Sequence, residues 1–566
     1  MIDLTDPKLV RLFERILRKG LGGFAAKLDD GPGFLPEANA PARDFYPGTR
    51  RFLPKAPEGS RWRLGYAAVD LTPYDYYKHD YYLGGYLTGA NGFNNRVEEI
   101  VDKMQCRIVA LDDATGRGAH IFAVIDCIGT GNRHIRLIRR KFADLIRLYA
   151  PEVKIASVNV FSTHTHSCVD TQGLWTATAK TAIHNLRKNR TGKGTYLDGP
   201  DPEYMKKLTD DVSAGMLRSV RDMTPGALTL AKKDVGRDYF SNRNRKSATA
   251  LNTDLIRFVF TPDDPARRPT MIVSFPAHPD VAGLPTTDGQ GSGRAVSGDF
   301  IYYMGELIEK AGCNFLFING AICAIYMDRG ATNDGVSFEH RWEQSLRYGR
   351  EMARIALSLT KTKEEIEADA LLSDPAGVEA DRAESEANGV PYTLWYENWT
   401  PVRETELPAC VNLRLARVKV PVTNPLIILV GKLNLASYDV LKTAGGGYAI
   451  YTEIGYLTLG GVFRAALAPG EFCQDLWLGG ASLTADGAYL KKDFPFPALR
   501  EALGEDLCVF GLANDAVGYI VPDNDYILGE FNNHYHELIS LGERTGSTVV
   551  SALLALCRSA EREDLL

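Results

Sequence analysis

The nine cysteines of this 566-residue chain are scattered, with no CxxC pair and no regular spacing. That excludes a disulfide scaffold and a cysteine-rich zinc module, and an odd count without a framework fits a reducing compartment. No long block of one charge occurs, the formal net charge is −6 and the pI is near 6.0, so nucleic acid is excluded as a partner on electrostatic grounds. The longest apolar stretch, near Phe315 to Met327, contains Asn319 and is too short for a bilayer, so no transmembrane segment is expected. Met1 to Lys27 is charged throughout and has no uninterrupted apolar core, which excludes a secretory signal. Internal repeats and low-complexity tracts are absent. These absences describe a cytoplasmic globular protein whose oligomeric state stays open, a homo-oligomer included.

What is present is an ordinary core-forming composition, 45% hydrophobic and 24% charged. Leu9, Leu12, Phe13, Ile16 and Leu17 predict an amphipathic helix that docks on the rest of the chain, with a membrane-surface helix as the lesser alternative. Gly31 to Ser60, rich in Pro, Gly and Ala, reads as an extended arm, so the expected division is 1–60 for helix and arm and 61–566 for one catalytic domain. Strands are expected at Arg63 to Pro73, Cys106 to Leu111 and Ile121 to Ile128. A helix is expected over Ile135 to Tyr149 and a further strand over Ile155 to Phe161. Strand, amphipathic helix, strand marks a crossover unit with a parallel pairing. Ala177 to Gly199 resembles an inserted loop, and Glu203 to Met223 returns to helical spacing. Strands follow at Ala227 to Leu230, Leu255 to Phe260, Met271 to Phe275 and Asn314 to Ile318, with a helix over Phe300 to Ala311. Lys361 to Asn388 reads as a peripheral helix and loop, and the last third alternates apolar strands with Gly-rich turns. The fold class is α/β.

The run Phe161-Ser162-Thr163-His164-Thr165-His166-Ser167 carries the most chemistry. If the strand continues through it, side chains two apart share a side, and both imidazoles leave the strand end together. There they could hold a metal or move a proton. The same pair also serves as hydrogen-bonded core histidines, and alone it does not choose. In open α/β sheets, ligands gather outside the carboxyl ends of strands, which is where His164 falls.

Gly65 to Pro73, Val124 to Gly129, Ser162 to Ser167, Asn242-Arg243, Leu255 to Phe258, Phe275 to His278 and Val296 to Asp299 resemble blocks of the neutral, non-lysosomal ceramidase family. So do Phe315 to Gly320, Tyr451 to Ile454, Leu459 to Val462, Leu467 to Phe472, Gly511 to Asn514 and Gly518 to Ile520. All run in family order from about Leu64 to Leu554. The resemblance implies a zinc hydrolase on an α/β core of mixed sheets and flanking helices. It also implies Zn²⁺ held by His164, His278, Glu471 and Tyr519, with His166 beside the metal in substrate polarisation and proton transfer. Arg243 matches an arginine that contacts the reacting oxygen, and Tyr535, in His534-Tyr535-His536-Glu537, matches a tyrosine near the oxyanion. Asp126 and Asp299 are expected to hold neighbouring groups.

The chain departs from the family in three ways. The serine expected after Phe315 to Ile318 is missing from Asn319-Gly320-Ala321-Ile322-Cys323-Ala324-Ile325-Tyr326, and Cys323 is expected to pack rather than react. The family's secretion signal and its C-terminal β-sandwich are expected to be lacking. The expected reaction is therefore hydrolysis of a small soluble amide, ester, lactone or glycosidic compound by metal-activated water, with ceramide excluded. Alternatives are a zinc lyase or isomerase working through an enolate, and a binding or scaffold protein that retains the fold. Trp175, Tyr76, Tyr77, Tyr81, Tyr82, Trp395 and Trp399, in loop-like segments, are candidates to stack on a sugar or aryl ring.

Overall fold

The computed structural model describes residues 7–32, 34–36, 44–86, 95–243, 250–282, 294–330, 332–528 and 535–563. Parts of the expected arm (33 and 37–43) and His534 lie outside them. Two sheets dominate. The larger has nine strands, in spatial order Asn314–Asn319, Thr270–Phe275, Asp254–Pro262, Thr224–Asp234, Trp62–Asp70, Gln105–Asp112, Ala119–Ile125 and Ile155–Ser162, with Thr405–Glu406 on Thr224–Asp234. The smaller has six, built around Tyr448–Leu459 and including Val411–Val422, Phe463–Leu467 and Leu507–Phe510.

Strand alternation assigns each face of the large sheet its partner. Cys106, Ile108, Ala110, Ile121, Ala123 and Ile125 pack outward with helices α2 (Asn132–Tyr149) and α4 (Pro202–Arg221). The intervening Val109, Leu111, Phe122 and Val124 face a second core, shared with Leu413, Leu415, Leu457, Leu459 and Leu467 of the smaller sheet. Helices α5 (Asp299–Lys310) and α6 (Arg341–Ser358) pack against each other over the strands Thr270–Phe275 and Asn314–Asn319. The C-terminal helix Thr545–Glu563 covers the far side of the smaller sheet. Strands buried on both faces read as near-continuous apolar runs, which is why they stood out in the sequence.

The crossover is parallel, as expected: Ala119–Ile125 and Ile155–Ser162 pair in parallel with α2 between them. Thr270–Phe275 with Asn314–Asn319 and Phe463–Leu467 with Leu507–Phe510 also pair in parallel. The large sheet curls enough for Asn314–Asn319, at one edge, to approach Gln105–Asp112, Ala119–Ile125 and Ile155–Ser162 near the other. Curling brings the carboxyl ends of strands from opposite edges together.

Two local expectations are corrected. Residues 177–199 are mostly helix, α3 (Thr178–Thr191), because the buried positions of its inner face are Thr181, Asn185 and Asn189, a four-residue period written in polar side chains. Asn185 donates to Leu197 O and Leu433 O, and Asn189 to Asp29 O, so this face docks by hydrogen bonds. The strand expected over Ile121 to Ile128 ends at Ile125, and the residues after it form a turn beside the histidines. The peripheral segment after Lys361 holds three short helices, Lys363–Ala368, Ala370–Ser373 and Pro375–Ala387.

The N-terminal helix α1 (Pro7–Ala26) docks against the short helix Pro425–Lys432. No helix among the described residues is long and apolar enough to cross a membrane.

Candidate metal centre and active site

Three of the parallel strand pairs each deliver two groups to one place. From the first pair come Ile128 O and His164; from the second come His278 and Ile325 O; from the third come Glu471 and Tyr519. His164 does not continue the strand. The strand ends at Ser162, and His164 has a left-handed backbone with φ of 69°. A non-glycine residue held there costs about 1–3 kcal/mol and persists only where its surroundings demand it. The rings of His164 and His166 do come together, with centroids 4.8 Å apart, but through this turn rather than through the pleat of a strand.

His164 Nδ1 lies 2.7 Å from Ile128 O, and His278 Nδ1 lies 2.7 Å from Ile325 O. A carbonyl only accepts, so both Nδ1 atoms carry the proton and both Nε2 atoms are left with lone pairs. Those lone pairs face one carboxylate oxygen: Glu471 Oε2 is 3.1 Å from His278 Nε2 and 3.4 Å from His164 Nε2. All three side chains are buried. Two lone pairs and an anionic oxygen repel unless a cation or shared protons lie among them. Burial pushes the His278 imidazole down, but the hydrogen bond and charge of Glu471 outweigh it and raise its pKa. Burial likewise opposes ionisation of Glu471, yet His164 and His278 hold its carboxyl far below the usual range. Neutral imidazole nitrogens oriented by backbone carbonyls, plus a carboxylate, are the donor set that zinc takes, so the residues fit a divalent metal.

His166 is the third imidazole. His164, His166 and His278 each offer a ring nitrogen within 4.8 Å of the others. Its backbone N–H donates to Pro279 O at 3.0 Å, while neither ring nitrogen has a hydrogen-bond partner among the described residues. Burial, followed by the charges of His164 and His278, pushes its pKa well below the ordinary value, which leaves a neutral ring at neutral pH.

Glu471 and Tyr519 are register partners in a short parallel pair, with Glu471 N–H donating to Gly518 O at 3.1 Å. Burial, then the Glu471 charge, drives the Tyr519 hydroxyl well above its usual pKa, so the bare protein keeps it protonated. The Tyr535 ring centroid stands 6.1 Å from that of Tyr519 and 5.9 Å from that of Tyr86. Arg243, exposed, lies over the Tyr326 ring at 4.1 Å, and Tyr326 stacks on His278 with centroids 4.6 Å apart.

The solved structure of neutral ceramidase from Pseudomonas aeruginosa matches with a TM-score of 0.55 at 14% identity, over 89% of this chain and 75% of that one. This chain has a ceramidase-like fold. A second structure, a ceramidase complexed with C2, matches with a TM-score of 0.55 at 13% identity, over 89% of this chain and 76% of that one. No family model matches the sequence, and no curated protein matches it.

On this ceramidase-like fold, the turn after Asn319 runs past Cys323, which is buried beside Cys473. A hydrogen bond with Cys473, then burial, holds the Cys323 thiol well above its ordinary pKa, the state of a packing cysteine rather than a nucleophile. Asp126 accepts from Gln105 N–H and Arg107, and burial raises its pKa to about 6. Asp299 accepts from Val281 and Ala282 N–H and from the Ser345 hydroxyl, which anchors the chain just beyond Asp280.

Sequence reasoning missed three neighbours of the histidines. The Tyr86 ring sits 4.4 Å from His166, and its hydroxyl donates to Asp280 Oδ2 at 2.6 Å. Asp280 stands two positions after His278, and that spacing was the available signal. Tyr326, the third, lay unremarked at the end of the serine-less turn. Of the aromatics expected to stack on substrate, Trp175 is buried with Nε1–H donating to Tyr86 O, and Trp395 and Trp399 pack on each other beside Ile366 and Leu372.

Proposed function

We propose that this chain is a zinc-dependent hydrolase of a small soluble amide, ester, lactone or glycosidic compound, working in the cytoplasm. One observation carries the reading: two imidazole lone pairs and one buried carboxylate oxygen converge where only a cation or shared protons can lie. His164, His278, Glu471 and Tyr519 would hold the metal. Tyr519 would then give up its proton, since a ligand must be deprotonated. A bound zinc supplies Lewis acidity and brings the pKa of water from about 15.7 toward about 7.

The chain's own groups do the rest. His166 has no carbonyl fixing either ring nitrogen among the described residues, whereas metal-binding imidazoles are almost always fixed in that way. It is therefore read as the proton carrier, taking the proton of the attacking water and delivering it to the leaving group. Arg243 and Tyr535 would meet negative charge developing on the substrate oxygen. Tyr86 and Tyr326, edging His166 and His278, would press a flat or ring-shaped substrate toward the metal and exclude bulk water.

The test is a metal assay joined to a substrate screen. The purified chain should hold about one zinc and turn over a member of a panel of soluble amides, esters, lactones and glycosides. A chelator should abolish that turnover, and added zinc should restore it. A chain that neither contains nor takes up zinc, or whose turnover ignores the chelator, overturns the proposal.

A further inference from the structure

Helix α1 docks with only part of its apolar surface. Leu17 packs on the main core, and Phe24 joins Leu28, Leu433 and Leu435. Glu14 accepts from Leu528 N–H and Arg18, and Arg18 also reaches Glu543 and lies over the Tyr526 ring. These contacts fix which side of the helix faces the protein. The other side exposes Leu12 at 52%, Phe13 at 38% and Ile16 at 57%, side chains that a docked helix has no reason to leave in water. Arg11, Arg15 and Lys19, all exposed, run along the edge of this strip.

Helix α3 packs on the same small cluster: Ala182 and Leu186 join Phe24 of α1 against Leu28, Leu433 and Leu435, and Asn189 exchanges two hydrogen bonds with the main chain of Asp29, just beyond α1. It contains no acidic residue. Its outer face presents Ile183, 70% exposed, among Lys180, Arg187 and Arg190, all exposed. Two adjacent helices thus repeat one pattern, large apolar side chains in solvent within a border of cations, on a chain whose net charge is −6.

We propose that α1 and α3 form a face that lies on an anionic lipid surface, with Leu12, Phe13, Ile16 and Ile183 entering the acyl boundary and the flanking cations meeting the headgroups. This is the chemistry of an interfacial amphipathic helix, which needs buried apolar area and positive charge together. A second copy of the chain fits less well, because a two-fold contact through the strip would set Arg11, Arg15 and Lys19 near their own counterparts. A phosphate backbone would use the cations and leave the apolar side chains without a role. The inference stands apart from the proposed hydrolysis and does not rest on it.

The test is co-sedimentation of the full chain with vesicles of phosphatidylcholine alone and of phosphatidylcholine mixed with phosphatidylglycerol. Binding should be confined to the mixed vesicles and should weaken with salt. The double variant Phe13→Ser/Ile16→Ser should bind about tenfold or more weakly, and so should Arg15→Gln/Lys19→Gln, each cation being worth about fivefold. Both pairs are exposed, so melting temperatures should stay near that of the parent. Absence of binding to mixed vesicles overturns the proposal, as does undiminished binding by the Phe13→Ser/Ile16→Ser variant. A dimer in light scattering that this variant dissolves, without vesicle binding, assigns the face to a second copy. Duplex DNA binding lost only in the Arg15→Gln/Lys19→Gln variant assigns it to nucleic acid.

Discussion

Asn319 Nδ2 donates to Thr163 O at 2.9 Å and also to Ala277 O at 2.9 Å, while Asn319 Oδ1 accepts from Ala277 N–H. One buried amide, at the end of an edge strand, thus ties the turn that carries His164 to the turn that carries His278. Without it the two carbonyls would be buried and unpaired. Each such orphan costs about 1–3 kcal/mol. Asn319→Leu should lower stability by a few kcal/mol and, because the two turns lose their shared brace, weaken zinc binding by tenfold or more. Chelator competition and urea unfolding measure the two effects separately. A variant that loses stability yet keeps parental zinc affinity shows that the amide supports the fold without positioning the histidines.

Arg139 of α2 is fully buried and makes two 2.8 Å bonds to Glu453 of the smaller sheet, with further bonds to Val158 O and Asn514 Oδ1. This ion pair joins the helix layer to the second sheet. Removing one partner leaves an uncompensated buried charge, so Glu453→Ala should destabilise by about 3–5 kcal/mol in urea unfolding. Replacing both, as Arg139→Met/Glu453→Leu, should recover a large part of that loss, because apolar substitutes remove the stranded charge. If the double variant is no better than the single, the bonds to Val158 and Asn514 matter more than the pair.

Asp102 gives the fold a pH dependence. Its carboxyl accepts from the Ser297 hydroxyl at 2.5 Å and from Gly298 N–H at 2.6 Å, but burial outweighs these bonds and raises its pKa from 3.8 to about 7. Between about pH 4 and pH 7 the native state therefore keeps a proton that the unfolded chain releases. Stability contributed by this group is full at the acid end of that window and is lost as pH rises through 7, by an amount on the order of 4 kcal/mol. Asp102→Asn, which cannot ionise, should flatten the decline and be relatively more stable than the parent at pH 8. Urea unfolding at several pH values reads this directly, and parallel curves for parent and variant would exclude the assignment.

Much of the fold was legible because its strands are buried on both faces. Runs such as Cys106 to Leu111 and Asn314 to Ile318 have no polar face to disguise them, and α2 and α4 show an apolar stripe. Helix α3 was not legible, since its buried face is Thr181, Asn185 and Asn189 and a hydrophobic period cannot register it. The histidine run was visible as chemistry, but its geometry was not. A left-handed residue at His164 carries no sequence signal when the residue is not glycine. Nor could spacing show Tyr86 beside His166, because that contact follows from the loop pairing of Leu83 with Val169, far apart in sequence.

His166 separates metal binding from proton transfer. Its ring lies 4.8 Å from that of His164 and 5.6 Å from that of His278, so distance alone would admit it as a ligand. What distinguishes it is orientation: His164 and His278 each spend Nδ1 on a backbone carbonyl, whereas both nitrogens of His166 are without partners among the described residues. A ring fixed at one nitrogen presents the other to a metal at little entropic cost, and an unfixed ring is suited to accept a proton and release it. His164→Ala and His278→Ala should therefore lose zinc and turnover together. His166→Ala should keep zinc at the parental stoichiometry and lose about 10²–10⁴-fold in kcat, the usual worth of a general acid–base group. Metal content by atomic emission and single-substrate kinetics on the same preparations decide the matter. Loss of zinc in His166→Ala would make it a third imidazole ligand and overturn its assignment as the proton carrier.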